Sequence, residues 1–339
     1  MGKKLIFYIS ILLIILSGCN EDENQNKTLL PVITGKSGEV VVVFNKKKYP
    51  KTLNALKNIF TEDYPMLPQE EDIFTPVVIP HDAFSSIFKT HRNILVINIK
   101  KDLPKDSIGL YVKKNIWAAP QLIIEGIAPD DTSMAKILLK KKNYIINLIN
   151  EWERKRIVDT YKKIQANKVV KKIEDKFHIY ITVPKGYAIR IDTTDFMWVS
   201  RETEEISQGL FIYTYPYKDT ADFNWENLLN KRDEFEGKYI KGPTEGSWMT
   251  TEHRIKPEVI SYTKNGNYFV KMRGLWRVEN DYMGGPFVSL STLSADKTHI
   301  ITVEGYVYAP KYKKREYVRQ LEAILSTVYP IAKKSLKKN

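Results

Sequence analysis

Apolar residues in the first part of the chain form short runs separated by loop-forming residues. The run Glu39–Phe44 is continuous and β-branched, which is typical of a strand covered on both faces. Apolar residues at helical spacing after Pro50 predict a helix, and the proline-rich stretch 64–80 predicts a loop. Three further runs predict strands, at 94–99, 109–114 and 121–127. We therefore interpret residues 29–168 as a small α/β domain.

The longest helical pattern begins after Asp130-Asp131, where either carboxylate is placed to cap the first turn. Apolar residues then recur at steps of 3, 4 and 7, which places them on one stripe of a helix. The stripe consists of Leu138, Ile145, Ile149, Trp152, Ile157, Tyr161 and Ile164. Lys140–Lys142 and Lys162-Lys163 fall largely on other faces. This pattern predicts an amphipathic helix with a solvated basic side, or alternatively a basic helix that lies on a membrane or binds a partner.

Residues 169–330 show a different pattern, in which apolar and polar residues alternate over short segments. Alternation would place two sets on strand faces: Phe177, Ile179, Ile181 and Val183, and later Ile212, Thr214 and Pro216. We expect Asn265-Gly266 to form the turn of a hairpin, because this dipeptide accepts the positive φ angles that a tight turn needs. A second hairpin is predicted around 294–297.

Helical segments are predicted near 222–236 and 311–327. We interpret residues 169–330 as an antiparallel sheet with helices on one side, followed by a basic tail at 331–339. The predicted fold class of the whole chain is therefore α+β, a small α/β domain followed by an antiparallel-sheet α+β domain.

The amino terminus carries a different signal. Lys3-Lys4 precede the apolar stretch Leu5–Leu16, and small residues follow, which is the layout of a secretory signal peptide over residues 1–18. The apolar stretch is shorter than the about 20 residues that a spanning helix requires. Leu16-Ser17-Gly18-Cys19 resembles the lipobox of bacterial lipoproteins, in which the cysteine becomes the mature amino terminus and carries a thioether-linked diacylglycerol. The alternative is a cysteine that falls in an ordinary signal peptide.

The resemblance implies that Cys19 is lipidated, with acyl chains such as palmitate that hold the protein on a membrane. Residues 19–28 are then an acylated cysteine and a flexible tether, because NEDENQNKT contains no aromatic or branched apolar residue. Cys19 is the only cysteine, so a disulfide framework is excluded and stability must come from a packed core.

The formal net charge of +13 raises the question of nucleic-acid binding. We expect no nucleic-acid partner, because the signal exports the chain and lysines outnumber arginines 42 to 11, whereas phosphate recognition favours arginine. Attraction to anionic lipid head groups or acidic polysaccharide is the functional alternative to a purely compositional bias.

Sequence motifs for catalysis are absent. The chain has no GxSxG elbow, P-loop or dinucleotide fingerprint, and no histidine pair at helical metal-binding spacing, so we predict no catalytic residue, metal or cofactor. Glu202 and Glu204 are the exception, since period-two spacing would place a general acid and base on one strand face. Charges that protect an exposed sheet edge are the alternative explanation.

Two groups are candidates for ligand or partner contact. His91-Arg92-Asn93 precede a predicted strand, where polar groups either meet a ligand or simply begin the strand. Four tryptophans lie in the second half and suit sugar rings, protein partners or core packing: Trp198, Trp225, Trp248 and Trp276. We take His91, Arg92, Trp198 and Trp276 as the candidate contact residues.

Several stretches resemble an uncharacterised family of Bacteroidota lipoproteins, a domain of unknown function. They include "KSGEVVVVFN", "FKTHRNILVI", "GPTEGSWMTTE" and "RGLWRVENDYMGGPF", and the similarity extends over roughly residues 30–330. The resemblance implies an outer-membrane lipoprotein of a Gram-negative envelope that faces the periplasm or the cell surface. It supplies no activity. The sequence therefore predicts a membrane-anchored, non-enzymatic module that binds an envelope protein or glycan, and the alternative is an unrecognised hydrolase or carbohydrate-active enzyme.

Overall fold

The computed structural model describes residues 29–332. The predicted signal peptide, Cys19 and the predicted tether lie outside the described residues, as do residues 333–339 of the predicted tail. The fold is α+β, as predicted, and is built around two large sheets, with a third sheet of only two short strands.

The first sheet has five strands in the order β2-β1-β3-β5-β4, and only β4 runs antiparallel to its neighbour. The strands are β1 (Glu39–Val43), β2 (Thr75–Ile79), β3 (Asn93–Ile99), β4 (Gly109–Lys114) and β5 (Leu122–Ala128). Four of them were predicted. The burial of Val40 to Val43 on both faces of β1 confirms the interpretation of the β-branched run.

Strand β2 corrects the prediction of a loop over residues 64–80. Pro76 pairs in register with Val40, at the edge of the sheet. Proline has no N–H to donate, and an edge strand tolerates it because one side of the strand needs no partner. The prolines that suggested a loop therefore fit an edge strand equally well.

The helices of the first half are α1 (Pro50–Phe60), the single turn α2 (Ser86–Lys89), α3 (Asp131–Lys140) and α4 (Lys142–Lys163). The predicted long helix is thus two helices, interrupted at Lys141. The Asp130 carboxylate accepts a hydrogen bond from the Ser133 N–H at 2.9 Å, which confirms the predicted cap.

The predicted apolar stripe is buried only in its first part. Leu138, Ile145 and Ile149 belong to the core, whereas Ile157 and Tyr161 are only partly buried. Glu153 and Arg156 take the buried positions in the second half of α4. The helix therefore turns a charged stripe inward where apolar residues were expected.

The second sheet is antiparallel, with strand order β10-β12-β13-β14-β9-β8-β7, and β11 also pairs with β12. Its strands are β7 (Ala188–Asp192), β8 (Phe196–Glu202), β9 (Ser207–Pro216), β10 (Trp248–Thr251), β11 (Glu258–Lys264), β12 (Asn267–Glu279), β13 (Gly284–Leu293) and β14 (His299–Tyr308). Both predicted hairpins are confirmed. Asn265 and Gly266 adopt φ values of 50° and 78° between β11 and β12, and β13 pairs with β14.

The predicted strand over residues 177–183 is largely wrong. Phe177 is the last residue of helix α5 (Asn167–Phe177), and only β6 (Ile179–Tyr180) is extended and paired, with β15 (Tyr329–Pro330). The left-handed conformation of His178, with φ of 52°, ends the helix there. Ile181 and Val183 are nevertheless buried, so the apolar pattern reflected burial rather than a strand.

Helices cover both faces of the second sheet, which corrects the expectation of one side. Helix α6 (Trp225–Tyr239) packs on the face that carries Phe211 and Tyr213, and α7 (Arg315–Leu325) packs on the opposite face with Leu210 and Ile212. Both helices were predicted from sequence. Consecutive buried residues along β13 and β14 reflect this two-sided burial.

Helix α4 packs against α7 and links the two sheets. One continuous apolar core contains residues of the first sheet, α4, α7 and one face of the second sheet. Among residues 29–332, no helix has both the length and the apolar character needed to cross a membrane.

Candidate functional site

His91 and Arg92 lie in a buried polar network centred on Glu153 of α4. Glu153 accepts hydrogen bonds from Asn93 Nδ2 at 2.6 Å and Arg156 Nη1 at 2.8 Å, and its second oxygen lies 3.0 Å from Arg92 Nη2. His91 Nε2 lies 3.4 Å from Glu39. Burial lowers the pKa of Arg156 to about 10, although Glu153 opposes that shift.

This network occupies the amino ends of β1 and β3, opposite the carboxyl edge where α/β sheets usually bind ligands. Its cations point at Glu153 and at backbone carbonyls, since Arg156 also donates to the carbonyls of Arg92 and Pro120. These residues hold α4 on the sheet. The role of His91 and Arg92 in contacting a ligand stays a prediction.

The tryptophans differ in exposure. Trp276 is buried and donates from Nε1 to the Val307 carbonyl at 3.3 Å, and the half-buried Trp198 donates to Tyr306 Oη at 3.1 Å. Trp225 is also half-buried, and only Trp248 is exposed, at 38%. Of the four indoles, Trp248 therefore presents the most surface to an external partner.

Glu202 and Glu204 do not share a strand face. Glu202 is the last residue of β8, whereas Glu204 lies in the bend that leads to β9, and both are exposed. The Glu202 carboxylate accepts a hydrogen bond from Ser200 Oγ at 2.9 Å. The arrangement removes the sequence argument for a general acid and base at these positions.

A cleft opens between α4, α7 and the β11–β12 hairpin. It consists of two adjoining cavities of about 570 Å³ and 360 Å³, which share Glu151, Arg154 and Glu322 in their walls. We call it the α4–hairpin cleft. Ligand sites commonly lie where separate structural units meet, so this cleft is the candidate site of the molecule.

Glu322 of α7 is the hub of the cleft. Its Oε1 lies 2.5 Å from Lys271 Nζ and 2.6 Å from Arg273 Nη2, and its Oε2 accepts a hydrogen bond from Tyr64 at 3.0 Å. Burial raises the pKa of Glu322, but the charges and hydrogen bonds of Lys271 and Arg273 outweigh that effect and lower it to about 2. Glu322 is therefore a fixed anion.

Burial lowers the pKa of Lys271, against the opposing charge of Glu322. Arg273 makes a second ion pair, with Glu258 of β11 at 2.6 Å. The charges of Lys271, Arg273, Glu258 and Glu322 are thus satisfied among themselves, and they form a rigid floor that joins the hairpin to α7.

The rim of the cleft differs from its floor, because its cations have no carboxylate partner. Among the described residues, no carboxylate oxygen lies within ion-pair distance of Arg154, Lys155 or Lys264, which all line the larger cavity. Apolar and aromatic side chains line the same cavity: Val158, Tyr262, Leu290 and Leu325. The larger cavity therefore offers a net positive charge, three unpaired cations against the one unpaired carboxylate of Glu151, next to apolar and aromatic side chains.

Arg319 adds a further donor to the smaller cavity. Its side chain is only 5% exposed, and its guanidinium lies over the rings of Tyr64 and Phe74 at 5.5 Å and 4.9 Å. Its Nη groups contact Glu316, Asn150 and the Ile73 carbonyl, whereas its buried Nε has no hydrogen-bond partner.

Sequence reasoning missed this cleft because its residues come from five distant parts of the chain, at 64–73, 146–158, 258–273, 290 and 319–326. The charged residues Glu153 and Arg156 at core positions of α4 were the one local signal that this helix buries charge.

A second buried charge cluster lies under α6, away from the cleft. Arg232 forms a bidentate pair with Glu304 at 2.9 Å and also lies 2.8 Å from Glu236 Oε2, and all three side chains are fully buried. Burial raises the pKa of both carboxyl groups, well above the ordinary value for Glu236. The pKa of Glu236 is raised further because Glu304 receives both hydrogen bonds of the arginine fork, whereas neither Glu236 oxygen has a hydrogen-bond partner.

Within residues 29–332, no group of three or more histidine, aspartate or glutamate side chains is arranged to hold a metal ion.

The described chain is an α+β protein with a charged cleft between its two sheets. Two family models match it, a domain of unknown function (DUF8532) at residues 34–162 and a domain of unknown function (DUF4837) at residues 166–327. The matched ranges meet between α4 and α5. These matches confirm that the chain consists of domains of unknown function, as the resemblance implied.

No curated protein matches the chain. Among solved structures, the human StarD13 (DLC2) lipid transfer and protein localization domain aligns over 49% of this chain and 96% of its own, at 9% identity and a TM-score of 0.19. A TM-score this low supports no conclusion about the fold or the function of this chain.

Proposed function

We propose that this chain is a membrane-anchored envelope lipoprotein that acts as a non-enzymatic binding module, with the α4–hairpin cleft as its binding site. The anchor is the lipidated Cys19, and the proposal of an outer-membrane lipoprotein of the Bacteroidota type rests on the lipobox-like segment and the quoted motifs. The partner is an envelope protein or glycan that carries an anionic group.

The observation that carries the binding proposal is the contrast between the floor and the rim of the cleft. The floor charges are mutually neutralised, whereas Arg154, Lys155 and Lys264 line the same cavity as apolar and aromatic side chains and have no ion-pair partner in the described chain. A partner carboxylate or phosphate would supply the missing counter-charge, and Tyr262 would supply a flat contact surface.

Binding is favoured over catalysis by the state of the carboxylate at the cleft floor. Because Lys271 and Arg273 keep the pKa of Glu322 at about 2, it is not a general acid at neutral pH, and both of its oxygens are held by Lys271, Arg273 and Tyr64. The hydrolase alternative was based on Glu202 and Glu204, and these residues are exposed and do not face one another across a cleft.

The test is crosslinked affinity purification from intact envelopes with four tagged forms. These are the wild type, Cys19→Ala, the cleft variant Arg154→Ala/Lys155→Ala/Lys264→Ala, and the control variant Lys100→Ala/Lys101→Ala/Lys105→Ala. The control removes the same charge from exposed lysines of the β3–β4 connection. We expect one reproducible partner that the control retains and the cleft variant loses, because the rim cations are the contact.

A partner held equally by the cleft variant and the control would contradict the cleft as the binding site. A partner that the Cys19→Ala form retains at the wild-type level would show that the anchor is dispensable for binding. Purified peptidoglycan fragments bearing free carboxylates provide a second probe, and their binding should weaken with added salt because the rim charges are exposed.

A further inference from the structure

The amino edge of the first sheet is a single hydrogen-bonded surface made of three segments. Residues 29–38 run between residues 84–92 and 115–121, because Thr34 N–H donates to Thr90 at 2.9 Å and Ala119 N–H donates to the Pro31 carbonyl at 2.9 Å. Gln121 Nε2 joins the other two segments by donating to the carbonyls of Lys89 and His91. We call these three segments the amino-edge surface.

Exposed aliphatic side chains are concentrated on this surface. Five of the ten exposed leucine, isoleucine and valine side chains in residues 29–332 lie on it, with exposures from 40% to 97%. They are Leu29, Leu30, Val32, Ile87 and Ile116. Scattered exposed apolar residues need no explanation, but such a concentration on one edge marks a surface that is covered in the working molecule.

The three segments themselves carry only positive charge, and among the described residues the carboxylates that form ion pairs with them are Glu39, 3.4 Å from His91, and Glu153, 3.0 Å from Arg92. None of the 26 residues in the three segments is an aspartate or glutamate, although the chain contains 40 acidic residues. The basic residues in these segments are Lys36, Lys89 and Arg92. Lys36 and Lys89 make no ion pair with any carboxylate in the described chain. Apolar side chains interleaved with lysines suit an anionic lipid surface, since lysine stems lie along acyl chains while the ammonium groups reach the head groups.

The position of this surface in the sequence, close to the proposed lipid anchor, indicates that a membrane covers it. Leu29 is ten residues after Cys19, and ten fully extended residues span at most about 36 Å. If Cys19 holds the lipid, the first described residue of the amino-edge surface, Leu29, lies within about 36 Å of the attached lipid.

We infer that the amino-edge surface lies directly on the lipid bilayer, with Ile87 and Ile116 inserted at the head-group level. This inference rests on the proposed lipid anchor and adds to it a fixed orientation of the protein. The α4–hairpin cleft is lined by none of the amino-edge residues, so a partner can occupy it while this surface is on the membrane.

The test uses the anchored full-length protein, in which Cys19 is consumed by the thioether. An introduced cysteine is then the only free thiol. Ile87→Cys, Ile116→Cys and the control Tyr282→Cys, whose native side chain is fully exposed in the β12–β13 turn, are each labelled with the fluorophore NBD. The proteins are reconstituted in vesicles of phosphatidylethanolamine and phosphatidylglycerol that contain a doxyl-labelled quencher lipid.

We expect quenching at positions 87 and 116 to exceed that at position 282 by about twofold or more, because only membrane-inserted labels approach the quencher. Equal quenching at all three positions overturns the inference. So does a blue-shifted but unquenched signal at 87 and 116, which would assign the surface to a second copy or to a protein partner.

Mass spectrometry of the amino-terminal peptide separates this inference from the proposed function. A lipidated Cys19 with no preferential quenching leaves the lipoprotein proposal standing and overturns the orientation. If Cys19 carries no lipid, the labels are placed in a Cys19→Ala background so that the introduced cysteine is still the only thiol, and preferential quenching there supports the surface and overturns the lipoprotein anchor.

Discussion

Tyr64 donates a hydrogen bond to Glu322 at 3.0 Å, across 258 positions of sequence. Tyr64 follows α1 in the first half of the chain, and Glu322 belongs to α7 at its end. This bond therefore ties the two sheets together at the floor of the α4–hairpin cleft. Glu322 therefore contributes both to the stability of the molecule and to the shape of the candidate site.

Replacing Glu322 should be strongly destabilising. Glu322→Gln leaves Lys271 and Arg273 half-buried without their shared anion, and we expect the free energy of unfolding to fall by about 3–5 kcal/mol. Urea denaturation monitored by tryptophan fluorescence measures the change. The matched control is Glu62→Gln, whose carboxylate forms an exposed pair with Lys142, and it should change stability by less than about 1 kcal/mol.

The lowered pKa of Glu322 also predicts how the free energy of unfolding decreases in acid. Glu322 has a folded pKa of about 2 against an ordinary value of 4.5, so its contribution is complete above about pH 4.5 and is lost as the pH falls toward 2. The shift corresponds to roughly 3 kcal/mol. Between pH 6 and pH 2, the free energy of unfolding should decrease more steeply for the wild type than for Glu322→Gln. Parallel curves for the two proteins would contradict the assigned pKa.

The buried cluster under α6 predicts opposite effects for its two glutamates. Because burial raises the pKa of Glu236 well above its ordinary value, its contribution to stability is complete below the unfolded pKa and decreases as the pH rises toward the folded pKa. Glu236→Gln is neutral at every pH, so at pH 7–8 it should be as stable as the wild type or more stable. Thermal unfolding at pH 5 and pH 8 should show that the stability of Glu236→Gln, compared with that of the wild type, is higher at pH 8 than at pH 5.

Glu304→Gln, in contrast, should be less stable than the wild type at neutral pH. It breaks the bidentate pair of the fully buried Arg232, and we expect a loss of about 3–5 kcal/mol at neutral pH. If the two glutamine variants lost similar stability, the larger rise in pKa at Glu236 would be contradicted.

The network at the amino edge of the first sheet gives a further prediction. Glu153→Gln removes the anion shared by Arg92 and Arg156, and the expected cost is about 3–5 kcal/mol of unfolding free energy. The control, Glu151→Gln, changes an exposed residue of the same helix. Hydrogen exchange should show faster exchange of α4 amides in Glu153→Gln but not in the control, since Glu153 holds this helix on the sheet.

Local patterns in the sequence predicted most of the elements correctly. The β-branched run of β1 and the Asn265-Gly266 turn depend on neighbouring residues, and both were confirmed. The errors arose where one residue type serves two local structures. Pro76 fits an edge strand as well as a loop, and the alternation around Ile179 fits a buried segment as well as a strand.

The sequence by itself determined the α+β class, the signal-like amino terminus with its single cysteine, and the absence of familiar catalytic motifs, because these are local or compositional properties. Only the tertiary structure decided the α4–hairpin cleft, the burial of Glu153 and Arg156, and the amino-edge surface. Each of these brings together side chains far apart in sequence, such as Tyr64 and Glu322. Whether such a charge is buried or exposed depends on partners that folding supplies, and a local pattern contains no information about them.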